Sequence, residues 1–134
     1  MNYKTVTCGD RTMIDIECDG IEYKILKYNN YSIISITVCY PDRGNLCVSY
    51  SSVRSTYPDD NYRITVIYAN EPEIIHKNSS VAHLFYMMSQ PTISIEEMFE
   101  MIKTIVEHSL AVREAKIEYD AIINRNVGKN YSKK

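Results

Sequence analysis

From Ser94 onward the chain reads as one long helix, and no other feature restricts the fold as strongly. Ser94-Ile95-Glu96-Glu97 is a capping box: the Ser oxygen accepts from the N3 amide while Glu97 reaches back to the cap amide. Apolar residues then recur at helical spacing, at Ile95, Met98, Phe99, Ile102, Ile105, Val106, Leu110, Val112, Ile117 and Ile122. Glu96, Glu97 and Glu100 at the start and Arg125 and Lys129 at the end agree with the helix dipole, and Gly128 is a natural residue to end on. The pattern predicts a helix over 94–127 and a frayed tail over 128–134.

Thirty helical residues make a rod of about 45 Å. A sheet of six- or seven-residue strands spans only about 20 to 25 Å along a strand. About half the rod therefore overhangs any sheet this chain can build. That half still carries Val112, Ala115, Ile117, Tyr119, Ala121, Ile122 and Ile123. Exposing such surface costs about 25 cal/mol per Å². The expectation is a homodimer or higher oligomer joined through helices. A break near Ser109 that folds the segment back as two helices is the open alternative.

The first half reads as an antiparallel sheet of five or six strands over 1–70. Met13 to Cys18 and Ile21 to Ile25 alternate apolar and polar residues around Asp19-Gly20, a hairpin signal, because a type I′ turn needs positive φ at both central positions. Tyr3 to Cys8 is a shorter strand ending at Gly9-Asp10. After an Asn29-Asn30 turn, Tyr31 to Tyr40 is rich in β-branched and aromatic residues, as expected of a central strand covered on both faces. Pro41 to Asn45 is a turn, Leu46 to Tyr50 a strand, Ser51 to Asn61 a loop, and Tyr62 to Tyr68 the closing strand. A short helical segment follows over 73–90: Asn78 or Ser79 caps it, Val81, Ala82, Leu84, Phe85 and Met88 form its apolar side, and Pro91 stops it. The expected whole is a single α+β domain.

With 134 residues the chain needs neither metal nor disulfide to fold. A net charge of -2 argues against a nucleic-acid polymer as partner, no apolar run is long enough to span a membrane, and the start has no secretory character. The four cysteines, Cys8, Cys18, Cys39 and Cys47, form no C-x-x-C pair and are expected as reduced, half-buried thiols in a cytoplasmic protein. Abundant Ile, Asn, Lys and Tyr fit an AT-rich genome, such as those of low-GC bacteria, their phages and some large DNA viruses.

Catalytic motifs are absent. There is no G-x-S-x-G, Walker A or G-x-G-x-x-G, and four glycines leave little for a phosphate-cradling loop. His76 and His83 are seven apart and fit one helix face, but nothing completes a metal-ligand spacing. His108 reads as exposed or partner-facing. The pairs Glu96-Glu97 and Asp59-Asp60 read as a helix cap and a solvated loop. No catalytic residue, metal or cofactor is expected.

One pattern stands out, the interleaving of aromatic and basic residues. Arg54 and Tyr57 share the long loop, Tyr62 and Arg63 open the next strand, Phe85 and Tyr86 lie on the short helix, and Arg113 and Lys116 on the long one. Rings stack bases and guanidinium forks bind phosphates, so Phe85, Arg113, Tyr86 and Arg54 are the candidate ligand-binding residues of a nucleotide pocket at an oligomer interface. The alternative places Phe85 in the core, Tyr86 at its rim, and Arg113 in a pair with Glu107 or Glu114.

In size, in the order of its elements, and in Phe85 and Arg113, the chain resembles the Thoeris anti-defence sponge proteins of phages, of the first type described. That resemblance implies a sheet followed by oligomerising helices, and a non-enzymatic protein that binds a cyclic ADP-ribose-type immune signal without cleaving it in the cytoplasm of the infected host. It further implies that Phe85 stacks the adenine and Arg113 meets the pyrophosphate. The other readings of the sequence are a small acidic protein-interaction module (a toxin-immunity protein, or an inhibitor of a CRISPR or host factor) and a small enzyme with a concealed dyad.

Overall fold

Seven strands, each hydrogen-bonded to the next in chain order, form one antiparallel meander: β1 (Asn2–Cys8), β2 (Arg11–Cys18), β3 (Ile21–Tyr28), β4 (Ile33–Cys39), β5 (Leu46–Ser52), β6 (Tyr62–Tyr68) and β7 (Ile74–His76). Two helices follow, α1 (Ser79–Met88) and α2 (Ile95–Ser132). The computed structural model describes residues 1–28, 33–53 and 60–132, with the backbone alone over 127–132. The Asn29-Asn30 turn and Arg54, Tyr57 and Asp59 lie outside the described residues.

The architecture is α+β, as the sequence leads one to expect, with two strands or one more than expected. The additional strand is β7, which pairs Ile74, Ile75 and His76 with Val66, Thr65 and Ile64. It occupies the start of the segment read as helical, and three residues are too few for a period to show. The β2–β3 hairpin closes on Asp19 and Gly20, at φ 53° and 78°, with Cys18 opposite Ile21.

Both helices lie on one face of the sheet. Ile16, Ile36, Val38, Leu46, Val48 and Ile64 point into that face and are wholly buried against Val81, Phe85 and Met88 of α1 and Met98, Ile102 and Ile105 of α2. β4 is therefore covered on one face, not two. Its residues alternate between buried and less buried, and Ser35, Thr37 and Cys39 point away from the helices. β1 is exposed along its whole length, so Cys8 is an exposed thiol, while Cys18, Cys39 and Cys47 are half-buried; all four are free.

Asn78 is the α1 cap, its side-chain oxygen accepting from the Val81 amide at 3.0 Å. Ser94 caps α2 as the sequence specifies, with the Glu97 amide donating to Ser94 Oγ at 3.1 Å, while the Glu97 carboxylate accepts from the Ser94 hydroxyl at 3.2 Å and not from the cap amide. α2 continues unbroken through Ser109, whose hydroxyl donates to the Ile105 carbonyl at 2.7 Å, and past Gly128 to Ser132. Its 38 residues make a rod of about 57 Å. Ser109 is the last fully buried residue of α2, Leu110, Val112 and Arg113 are half-buried, and from Glu114 to Asn126 every residue is exposed.

Candidate functional site

The site is built where α2 leaves the sheet. β6 ends at Tyr68, and Ala69 turns the chain with φ 51°, its amide donating to the Asn45 carbonyl at 2.8 Å. The neighbouring turn must come close at this point: a Cβ on Gly44 would collide with the Ala69 methyl. The Glu71 amide donates back to the Tyr68 carbonyl at 3.0 Å, which fixes Glu71 beneath α2.

Arg113 answers from the helix. Its Nε donates to Glu71 Oε1 at 2.7 Å and its Nη2 to Glu71 Oε2 at 2.6 Å, and the guanidinium lies 4.2 Å from the centre of the Tyr68 ring. These hydrogen bonds hold the Glu71 carboxyl below its ordinary range and push the Arg113 pKa up. Two of the five guanidinium donors thus go to Glu71. The pairing corrects the local alternative, since the partner is neither Glu107 nor Glu114. Tyr40 stands close to Tyr68 and carries Arg43 at 5.0 Å from its ring, and Arg43 also pairs with Asp42 at 3.2 Å. Burial raises the Tyr40 phenol. This rim therefore sets two guanidinium groups on two tyrosine rings, a combination suited to phosphates and planar rings.

Phe85 is not part of it. Its ring is fully shielded in the core, with its centroid 5.7 Å from that of Tyr50 at an interplanar angle of 26°. A base cannot stack on a ring already enclosed, so the expectation that Phe85 meets a ligand is corrected to a core role. Tyr50 pairs with Ile64 and Leu46 pairs with Tyr68, so Phe85 and Arg113 serve positions four residues apart on β5, about 13 Å along the strand. Tyr86 is half-buried on α1, 6.3 Å from His83 between ring centres, and its carbonyl accepts from Ser89 Oγ at 2.6 Å. Arg54 lies outside the described residues. Of the three candidates among the described residues, only Arg113 is in the rim. Tyr40, Arg43, Tyr68 and Glu71 are the residues that sequence reasoning missed, although Tyr40-Pro41-Asp42-Arg43 is itself an aromatic–basic neighbourhood.

A second polar cluster joins β7, α1 and α2. His76 and His108 face each other with ring centres 6.1 Å apart, and His108 Nε2 lies 3.1 Å from Asn78 Nδ2. His76 is on a strand, so it does not share a helix face with His83, and His108 is half-buried, not exposed. His76 Nε2 is buried with no hydrogen-bond partner among the described residues, and burial, then the neighbouring His108, lowers its pKa. Among the described residues no cluster of three or more His, Cys, Asp or Glu side chains is arranged to hold a metal ion.

A concavity of about 470 Å³ lies between the first strands and the start of α2, lined by Thr5, Thr12, Lys27, Ser89, Pro91 and Met98. Its cation is occupied: Lys27 Nζ donates to the Met88 carbonyl at 3.3 Å, and burial lowers its pKa. No helix among the described residues is long and apolar enough to cross a membrane. Compared with known proteins, the chain matches no family model, no curated protein and no solved structure.

Proposed function

We propose that this chain is a binding protein that acts as an assembly of its own copies and holds a cyclic nucleotide of the cyclic ADP-ribose type without breaking it. One observation carries the assembly. The projecting half of α2 exposes Tyr119, Ile122 and Ile123 at 60%, 45% and 41%, a clustered apolar surface on a rod that its own sheet does not reach, with Ile117 exposed on the opposite side. The Tyr68–Arg113 rim lies at the root of that rod. The rim supplies guanidinium donors for phosphate and tyrosine faces for a ring. The resemblance to the phage sponge family is what suggests the ligand class, and with it the cytoplasm of an infected host cell as the place of action.

A second reading, a module that docks on another protein, is favoured by β1. It is a seven-residue edge strand, exposed on both faces, with one edge unpaired in the sheet.

The test is uptake and release. The protein is incubated with cyclic ADP-ribose-type nucleotides, washed, and denatured by heat, and the supernatant is analysed by mass spectrometry. Intact nucleotide from an oligomer supports sequestration. Altered nucleotide would make the protein an enzyme, and an oligomer that takes up nothing would leave the docking module.

A further inference from the structure

The projecting half of α2 sets most of its apolar side chains along one line, with Ile117 on the opposite side. Val112, Ala115, Tyr119, Ile122 and Asn126 recur at alternating spacings of three and four, the a and d positions of a heptad, with Ile123 beside them. At about 100° per residue this line lies roughly a quarter turn away from the one that rests on the sheet through Met98, Ile102, Ile105 and Ser109. Past the sheet, the sheet-facing line is first polar, with Lys116 and Asp120 paired at 2.8 Å, before Ile123 and Val127 follow in the sequence. The heptad line therefore needs a cover that comes from another direction than the sheet. One step back along it, His108 is seated on Asn78, the cap of α1.

Resting on the self-association proposed above, we infer that the line is the seat of α2 from a second copy, running antiparallel, with Tyr119 of each copy against Ile122 of the other. Charge selects this direction. Glu118 and Arg125 are exposed and flank the line at equivalent heptad positions. Equivalent flanks face each other in an antiparallel pair, so Glu118 of each copy meets Arg125 of the other, twice by symmetry. A parallel pair sets Glu118 against Ile123 and Ala111 against Lys116, which match nothing. An antiparallel pair shifted by one heptad sets Glu118 against Glu118.

Shape selects the same direction. Packed helices lie about 8 to 10 Å apart. A parallel copy on this line would drive residues 95–108 of its own α2 into the place where α1 begins, at Asn78. An antiparallel copy enters from the free end. With Tyr119 level with Ile122, Ser132 comes level with Ser109.

Charge exchange in the full chain, followed by sedimentation velocity across micromolar concentrations, tests this. Glu118→Arg and Arg125→Glu should each weaken the dimer about tenfold. The combined variant E118R/R125E should return to within about twofold of the natural chain. Weakening without recovery, or no effect of either single exchange, overturns the antiparallel register while self-association stands. A natural chain that stays monomeric at every concentration overturns the register and the proposed assembly together.

Discussion

Arg113 and Glu71, 42 residues apart in the chain, are joined by two parallel hydrogen bonds, and the pair marks the point at which α2 leaves the sheet. On one side of it the helix is held by the core. On the other, from Glu114 to Asn126, every residue is exposed. The ring of Tyr68 beneath the guanidinium completes a three-part clamp, and the same three groups form the rim proposed to meet a ligand.

The clamp behaves as a unit. Arg113→Ala and Glu71→Ala should each lower the thermal unfolding midpoint, and the double variant should fall no further than the worse single one, because either change removes the same pair of bonds. Additive losses would show that the two residues act independently. The folded Glu71 carboxyl is held below its ordinary value of 4.5, so its contribution is fully present above that value and is lost as the pH falls through the lower folded one. The difference between the natural chain and Glu71→Gln should therefore be visible at neutral pH and vanish in acid.

Phe85 separates a core role from a ligand role. Phe85→Ala opens a cavity beside Tyr50 and should cost about 3 to 5 kcal/mol, a large part of the 5 to 15 kcal/mol that roughly bounds the stability of a domain. Phe85→Leu keeps most of the volume and should cost distinctly less. Urea unfolding measures both. Nucleotide uptake by a folded Phe85→Leu variant should match the natural chain, and a selective loss of uptake would return Phe85 to the site.

These two residues also show what the sequence makes legible and what it does not. The Asp19-Gly20 hairpin and the Ser94 cap can be read because each is a contract between residues two or three positions apart. Periodicity likewise marks Phe85 as lying on the apolar side of a helix, but it does not say whether that side meets a sheet or a ligand. Local spacing offers Arg113 only Glu107 and Glu114. Its actual partner arrives through a turn set by Ala69 and by the space at Gly44, a tertiary event with no local trace. β7 is hidden for the opposite reason, its three residues being too few to show a period. The excess length of α2 needs only a count of residues, and that much is plain in the sequence.

Acid should loosen the junction of β7, α1 and α2. His76 is kept neutral by burial and by His108, with a folded pKa below its ordinary 6.5. Its contribution is therefore complete above about 6.5 and is lost as the pH falls through the folded value. The thermal midpoint should begin to drop below pH 6.5, well before Glu71 titrates, and His76→Leu should remove this upper step. An unchanged pH profile in that variant would show that the step belongs to another group.

The two helix caps should differ in cost. Ser94→Ala removes a bond to the Glu97 amide at an exposed helix start and should cost about 1 kcal/mol. Asn78→Ala removes the bond to the Val81 amide and also the contact with His108, so its loss should exceed that of Ser94→Ala. Equal losses in urea would mean that the Asn78–His108 contact adds nothing to stability.

The projecting half of α2 should contribute to stability only by way of a second copy. Replacing Tyr119 and Ile122 together by Ser removes apolar surface that is exposed in one chain, at 60% and 45%, so no core contact within that chain is lost. Folding linked to association makes the unfolding midpoint rise with protein concentration, because the dimer binds the native state by mass action. The natural chain should show that rise, whereas Y119S/I122S should have a midpoint independent of concentration and equal to that of the natural chain at high dilution. A midpoint that drops in the variant at every concentration would mean that the rod packs on its own sheet, and a natural chain with no concentration dependence would mean that the exposed line does not drive association.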